Sequence, residues 1–207
     1  GKPRRQRLKR RLLQREREEL GVLPKRKQTP DTVLRESGGH TMNVLFVASE
    51  AVPFIKTGGL ADVMGALPKA LAKKGMDVRL VIPKYSRIAE EAKKQMKEVT
   101  TGIVNLAWRQ LYYGVEEIKR DGVTVYFIDN EWYFKRDGLY GYGDDDERFA
   151  YFCRAVRTML PKIGFKPDII HCNDWQTALV PIYLKDDSVR EERFRSIRTV
   201  LDRKSVV

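Results

Sequence analysis

A lysine, a threonine and two adjacent glycines follow an apolar run, and together these residue types suit the binding of an anion. The stretch "FIKTGGLAD" occupies residues 54–62, directly behind "MNVLFVA". Gly58 and Gly59 allow backbone N–H groups to approach an anion, and a helix that starts there points its positive end outward. Lys56 adds a mobile charge that can reach a phosphate oxygen. Asp62 either accepts a ligand hydroxyl or complements the helix dipole, and the plain alternative is a strand–helix turn with a surface lysine.

A second polar stretch, "HCNDW", also stands where a short strand passes into a helix. His171, Asn173 and Asp174 crowd this strand end, and Trp175 offers an apolar ring face of the kind on which sugars stack. The alternative is structural: Asp174 serves as the N-cap of the following helix, and His171 is a satisfied core histidine.

Two common nucleotide-binding signatures are missing from the sequence. The glycine loop is neither a P-loop, which needs G-x-x-x-x-G-K-[ST], nor a G-x-G-x-x-G fingerprint. The acidic run "DDDE", residues 144–147, precedes a helix, so dipole complementation and solvation explain it better than a metal does. We therefore predict no metal and no cofactor.

The elements around these motifs predict an α/β fold. "NVLFVA" lacks polar alternation, which is typical of a strand covered on both faces. Apolar residues then recur at helical spacing from Leu60 to Leu71, Gly75 ends that helix, and "DVRLVIP" follows as a strand. This strand–helix–strand unit predicts a parallel sheet with a right-handed crossover.

The rest of the chain continues this alternation, with one antiparallel excursion. "SRIAEEAKKQMKEV" predicts a second, weaker helix. Two strand-like runs flank Asp121-Gly122, a pair favoured in tight hairpins. A long loop rich in Gly, Asp and Tyr, an amphipathic helix around Phe149, a strand in "KPDIIHCNDW", a helix in "WQTALVPIYL" and a strand at "IRTVL" complete the order. We predict a Rossmann-like parallel sheet with an antiparallel hairpin excursion.

Composition separates a basic extension from a nearly balanced body. The net charge is +12 over 207 residues, but residues 1–41 hold 13 Lys+Arg against 5 Asp+Glu, and the remainder 27 against 23. We predict an extension at 1–41 and a catalytic domain at 42–207. An RNA-binding arm is the alternative for the extension, although the balanced body disfavours nucleic acid as a partner. The sequence has no membrane span, and Cys153 and Cys172 suit a reduced cytoplasmic protein.

Taken together, these motifs resemble bacterial glycogen synthase and plant starch synthase. "KTGGLAD" is the hallmark of that family, and "PDIIHCNDWQTALVPIYLK" looks like its later segment. The resemblance implies the N-terminal half of a GT-B glycosyltransferase that transfers glucose from ADP-glucose to the 4-OH of an α-1,4-glucan, with retention of configuration. The partners implied are ADP-glucose and glycogen, starch or a malto-oligosaccharide, in the cytoplasm or in a plant plastid.

The resemblance also implies roles for individual residues. Lys56, Gly58, Gly59 and Asp62 would lie at the donor. His171 and Asp174 would be catalytic, while Trp175, Asn173, Asp129 and the aromatic residues that follow Asp129 would face the acceptor glucan.

The family's strand at "IRTV" continues into a histidine motif and a second domain, whereas here it runs into "LDRKSVV". We therefore expect a fragment of a synthase that is inactive alone. Two alternatives stay open: a glucan-binding domain without catalysis, and a GT-B enzyme with another nucleotide-sugar donor.

Overall fold

A computed structural model describes residues 41–202, apart from the side chains of Ser188 and Arg190. The predicted basic extension therefore lies outside the described residues, except for its last residue. None of the helices in residues 41–202 is both long and apolar enough to cross a membrane.

Within residues 41–202, seven strands form one mixed sheet. They are β1 (Asn43–Val47), β2 (Asp77–Pro83), β3 (Lys97–Leu106), β4 (Arg109–Arg120), β5 (Val123–Asp129), β6 (Ile169–Asn173) and β7 (Arg198–Asp202). Their order across the sheet is β3-β4-β5-β2-β1-β6-β7. The five strands from β5 to β7 are parallel, and β4 pairs antiparallel with both β3 and β5. The prediction of a Rossmann-like sheet with an antiparallel excursion is confirmed.

In the same described part of the chain, five α-helices connect the strands. They are α1 (Gly59–Lys73), α2 (Glu90–Lys93), α3 (Glu131–Phe134), α4 (Asp145–Met159) and α5 (Leu179–Arg190), with 3-10 turns at Leu160–Lys162, Trp175–Thr177 and Glu192–Phe194. Helix α1 packs on β2 and β5, while α4 packs on β3, β5 and α5. Successive residues Val44 to Val47 are all buried, so both faces of β1 are covered, as its apolar sequence predicts.

The strand order changes direction beside β1. The chain leaves β1 for β2 on one side and later returns to β6 on the other. In open α/β sheets, ligands bind beyond the carboxyl ends of the strands at such a switch point. The two polar stretches singled out in the sequence follow β1 and β6, so both stand at this position.

One predicted helix is wrong. The stretch of residues 86–99 contains a single helical turn at Glu90–Lys93, and strand β3 already begins at Lys97. Nine residues of β3 pair with β4, and these long-range hydrogen bonds outweigh a weak helical propensity. The sequence hides this hairpin because its turn, Ala107-Trp108, contains no Gly, Asn or Asp, and Ala107 adopts a φ of 51°. The other hairpin, at Asp121-Gly122, is confirmed.

Candidate functional site

The loop after β1 forms a compact turn that leads into α1. The Ile55 and Phe54 N–H groups both donate to the Ala51 carbonyl at 3.0 Å, which folds the loop back on itself. A Cβ on Gly65 would stand 2.2 Å from Val52, so this glycine lets α1 approach the loop closely. Helix α1 begins at Gly59, and no described side chain caps its first turn at Gly58. Backbone N–H groups at this end are thus available to an anion.

A buried carboxylate anchors the glycine loop. Glu50 is 4% exposed, and its Oε2 accepts hydrogen bonds from the Thr57 backbone N–H and, at 2.9 Å, from the Thr57 hydroxyl. A carboxylate bonded in this way holds the backbone of Thr57 and Gly58 in one conformation. Sequence reasoning missed Glu50, because nothing in its spacing distinguishes a buried glutamate from an exposed one.

Lys56 and Asp62 lie side by side. The Lys56 Nζ donates to both carboxylate oxygens of Asp62 at 2.8 and 2.7 Å, and the two side chains are 51% and 57% exposed. Exposed ion pairs of this kind contribute only about 0–1 kcal/mol. A ligand with more negative charge than one carboxylate can therefore compete for Lys56 without breaking buried structure.

His171 lies within β6, two residues before the strand ends. Its ring packs on Phe46 with 5.0 Å between centroids, and among the described residues its Nε2 finds no hydrogen-bond partner. Burial lowers the pKa of His171, and the Asp202 carboxylate opposes that effect. The imidazole is thus held in the neutral form by its surroundings.

This lowered pKa makes stability depend on pH. A histidine whose pKa is depressed on folding binds fewer protons in the folded state, so the free energy of unfolding falls as the pH drops through about 6.5. We expect the chain to lose more stability between pH 7.5 and 5.5 than a His171→Gln variant, in urea unfolding at both pH values. His40 is kept in both proteins as an internal control. An equal loss in the two proteins would contradict this assignment.

Asn173 joins the two strands of the switch point. It is 2% exposed, and its Nδ2 donates to the Val47 carbonyl at 3.2 Å and to the His171 carbonyl at 3.0 Å. Its amide therefore holds the ends of β1 and β6 together, which suits a positioning role better than ligand contact.

Asp174 has the N-cap role that the structural alternative predicts. Its Oδ1 accepts from the Trp175 N–H at 2.7 Å, and its carbonyl accepts from the Thr177 hydroxyl at 3.0 Å. Its φ of 65° and ψ of 177° fall in a region that is almost restricted to glycine. Holding a non-glycine residue there costs on the order of 1–3 kcal/mol, and such strain clusters at functional sites. Asp174 as a whole is only partly buried at the carboxyl edge of the sheet.

An aromatic chain connects the ends of β6 and β1. Trp175 is 51% exposed and meets the Phe149 ring edge-on at 5.3 Å, and Phe149 contacts Tyr140 at 5.9 Å. The Tyr140 hydroxyl shares a 2.7 Å hydrogen bond with Ser49, directly after β1. Burial raises the pKa of Tyr140, so its hydroxyl stays protonated. Of the loop residues Trp132, Tyr133, Tyr140 and Tyr142, Tyr140 is hydrogen-bonded to the residue pair that follows β1, through Ser49.

Three carboxylates of the acidic run at the start of α4 form ion pairs with arginine side chains. Asp144 binds Arg136 through two hydrogen bonds of 2.7 and 2.6 Å, Asp145 binds Arg148 at 2.6 Å, and Glu147 pairs with Arg109 at 2.5 Å. These partners are more specific than the dipole complementation and solvation expected from sequence. Within residues 41–202, no group of three His, Cys, Asp or Glu side chains could hold a metal ion.

Asp129 lies apart from the other candidates. It ends β5, two strands from β1, or about 10 Å at the usual strand spacing. Lys84 lies 3.6 Å from its carboxylate and binds Glu116 at 2.7 Å. Burial raises the pKa of Asp129, whereas the positive charge of Lys84 lowers it in part by favouring the ionised carboxylate. The carboxylate borders a separate polar cavity of about 300 Å³ with Lys84, Lys93 and Lys135.

The phosphate-compatible loop, the Asp174 carboxylate and the exposed Trp175 stand at the switch point of the sheet, where open α/β folds bind ligands. The fold is that of the N-terminal half of a GT-B glycosyltransferase, as the likeness to a starch synthase structure shows. The starch synthase catalytic domain family matches residues 43–202. The chain belongs to this family, which confirms the resemblance seen in the sequence.

Relatives of the chain carry consistent names. The chain is 52% identical to a glycogen synthase of Anoxybacillus flavithermus and 57% identical to a glycogen synthase of Geobacillus stearothermophilus. Each alignment runs over 159 residues and covers 77% of this chain and 33% of the relative. A solved structure, the catalytic domain of starch synthase IV from Arabidopsis thaliana bound to ADP and acarbose, is 33% identical with a TM-score of 0.70. The match covers 78% of this chain and 34% of the starch synthase IV chain. The chain thus spans about a third of the length of these relatives.

Proposed function

We propose that this chain provides the acceptor-facing third of a glycogen or starch synthase. The reaction transfers glucose from ADP-glucose to the non-reducing 4-OH of an α-1,4-glucan, with retention, in the cytoplasm. We further propose that residues 42–207 belong to the catalytic domain and residues 1–41 to an extension. One observation carries the proposal: Lys56 and the open N-terminus of α1 stand at the same switch point as Asp174 and Trp175.

The donor end of this site stabilises the leaving group. When ADP departs, negative charge grows on its diphosphate, and a lysine with oriented backbone amides stabilises charge where it develops. In this proposal, Lys56 leaves Asp62 for the phosphates, while Gly58 and Gly59 keep the loop backbone close to them. Asp62 then becomes free to accept a sugar hydroxyl. Starch synthase IV bound to ADP supports this assignment.

The acceptor end orients the glucan. Trp175 and Tyr140 provide ring faces and a hydroxyl beside the strand ends, and Asp174 provides a carboxylate that can accept a hydrogen bond from a sugar hydroxyl. Neutral His171 lies beside this region within β6, while Asp129 lines the separate polar cavity two strands from β1. The anomeric carbon passes through an oxocarbenium-like state, so holding donor and acceptor in register supplies much of the acceleration.

The test is a chimera in which residues 43–202 replace the matching segment of the Geobacillus stearothermophilus glycogen synthase. We expect this chimera to transfer labelled glucose from ADP-glucose to glycogen. The 207-residue chain alone should not do so, because half a cleft cannot close around the donor and exclude water. The unaltered Geobacillus protein is the matched control.

Two results would contradict the proposal. One is a chimera that folds, by circular dichroism and thermal melting, yet transfers no glucose while the control does. The other is transfer by the isolated chain. Binding of maltotriose by the chain together with an inactive chimera would instead favour a glucan-binding domain without catalysis.

A further inference from the structure

An apolar cavity opens at the end of the sheet opposite the switch point. Its volume is about 310 Å³, and it lies between the 3-10 turn at Leu160–Lys162 and the two segments that enter β6 and β7. Since β6 is five residues long, the cavity stands about 17 Å from the Asp174 end of that strand. Its volume falls at the lower end of the range for small-molecule sites, about 300–1,000 Å³.

The walls of this cavity are made of apolar side chains. Leu160, Phe165, Phe194 and Ile197 line it, together with two prolines and one glycine. Phe165 and Phe194 are 6% and 4% exposed, so their rings belong to the core as well as to the cavity wall. We name this space the amino-edge cavity. Its aromatic and aliphatic surfaces favour the apolar body of a ligand, which leaves water on binding.

Two arginines hold the aromatic walls in place. The Arg79 guanidinium lies 4.0 Å from the centre of the Phe165 ring, and the Arg157 guanidinium lies 4.6 Å from the centre of the Phe194 ring. Arg157 is itself fixed by an ion pair with Asp187, which is 5% exposed. The amino-edge cavity is therefore preformed, and a ligand needs to order few side chains when it binds.

The charged side chains that line the cavity have one sign. Lys166 and Arg193 line it, and among the described residues no acidic side chain does. Lys166 is exposed and has no ion-pair partner within residues 41–202. Arg193 is 59% exposed and lies 3.3 Å from Glu191. Exposed cations beside an apolar cavity attract a ligand that carries an anionic group, and a carboxylate suits both a lysine and an arginine.

The same lining excludes sugars and nucleotides as ligands. None of the described side chains that line the cavity carries a hydroxyl or an amide group. The hydroxyls of a sugar would therefore lose their hydrogen bonds to water without replacement, which is costly. The bases and ribose of a nucleotide meet the same difficulty. The ligand that fits has an apolar body and one anionic end.

We infer that the amino-edge cavity binds a small organic acid whose apolar body contains about eight carbon atoms. At about 30 Å³ for a group of the size of water, the cavity holds about ten non-hydrogen atoms. The body of the acid packs against Phe165 and Phe194, and its carboxylate binds Lys166 and Arg193. This site is independent of the proposed function, because it lies at the opposite end of β6 from Asp174.

The test compares octanoate with its uncharged isostere, octanamide. Isothermal titration calorimetry of the 207-residue chain is expected to show one octanoate site, with a Kd of about 0.1–1 mM. The double variant Lys166→Gln/Arg193→Gln should bind octanoate about tenfold more weakly, at the level of octanamide, and should leave octanamide binding unchanged. Arg87→Gln/Lys94→Gln is the matched control, since it removes the same charge from exposed positions away from the cavity and should bind octanoate normally.

A second variant tests the place of binding. Ile197→Trp fills the cavity from its wall and is expected to abolish octanoate binding, and nuclear Overhauser contacts from octanoate to the Phe165 and Phe194 rings should occur only in the unaltered chain. Thermal melting checks each variant, and if Ile197→Trp does not fold, the double glutamine variant decides, because both its replaced side chains are exposed.

Three results would overturn the inference. The first is octanoate binding that does not saturate at one site, and the second is equal affinity for octanoate in the unaltered chain and in the double glutamine variant. The third is a dimer that Ile197→Trp dissociates in sedimentation equilibrium, because a second copy of the chain would then occupy the cavity.

Discussion

The variant Lys56→Ala is expected to lower kcat/KM for ADP-glucose about 100-fold to 1,000-fold, which is the usual loss when one preorganised donor to a developing charge is removed. Lys56 is the mobile cation beside the glycine loop, and a half-exposed carboxylate, Asp62, is its partner in the structure. Since the diphosphate gains charge only as the glycosidic bond breaks, much of the loss should appear in kcat rather than in KM.

The measurement is a steady-state assay of the chimera with ADP-glucose varied and glycogen saturating. Lys73→Ala is the matched control, because Lys73 is an exposed lysine in the last turn of the same helix, α1. Lys56→Arg should recover only part of the activity, since a planar guanidinium does not replace a compact ammonium group. A change of less than threefold in kcat/KM for Lys56→Ala would remove Lys56 from the donor site.

The second large effect concerns the stability of the loop that carries Tyr140. Replacing Arg148 by methionine is expected to lower the free energy of unfolding by about 3–5 kcal/mol, as when one partner of a buried ion pair is removed. Arg148 is fully buried, and its Nε donates to the Tyr133 carbonyl at 2.8 Å. Its Nη1 donates to the Leu139 carbonyl at 3.0 Å and to Asp145 at 2.6 Å.

This arginine fastens both ends of the loop between α3 and α4. Its guanidinium also lies 4.9 Å from the Tyr142 ring and 5.4 Å from the Phe149 ring. Methionine fills part of the volume but leaves the Asp145 carboxylate and two backbone carbonyls without their donor. The aromatic connection from Trp175 through Phe149 to Tyr140 should loosen with it.

Urea unfolding of the 207-residue chain, followed by tryptophan fluorescence, measures this loss. Arg154→Met, on the same helix, is the control and should cost about 1 kcal/mol or less, because Arg157 still pairs with Asp187. A similar small loss for both variants would show that the loop does not depend on Arg148. Where Arg148→Met does not fold, Arg148→Lys tests the same point, since it keeps the charge but loses the forked geometry.

Much of the fold could be predicted from local patterns. The uninterrupted apolar run of β1, the helical spacing behind it and the turn pair Asp121-Gly122 each act over a few residues, and all three predictions are confirmed. The two polar motifs could be placed at strand ends because each directly follows a recognisable strand. The predicted helix over residues 86–99 is wrong for the opposite reason: β3 is stabilised by pairing with β4, and the sequence of β3 alone does not contain that partner.

The sequence by itself determined the class of fold, the glycine loop with Lys56, and the strand end with Asp174 and Trp175, since each depends on residues next to one another in the chain. Only the tertiary structure decided that these motifs meet at one switch point, that Asp129 lies two strands away, and that Lys56 pairs with Asp62. It also decided the roles of Glu50 and Arg148, whose burial is invisible in a sequence where charged residues are common. The physical reason is the same in each case: burial and ion pairing depend on distances in space between elements, and spacing along the chain does not specify those distances.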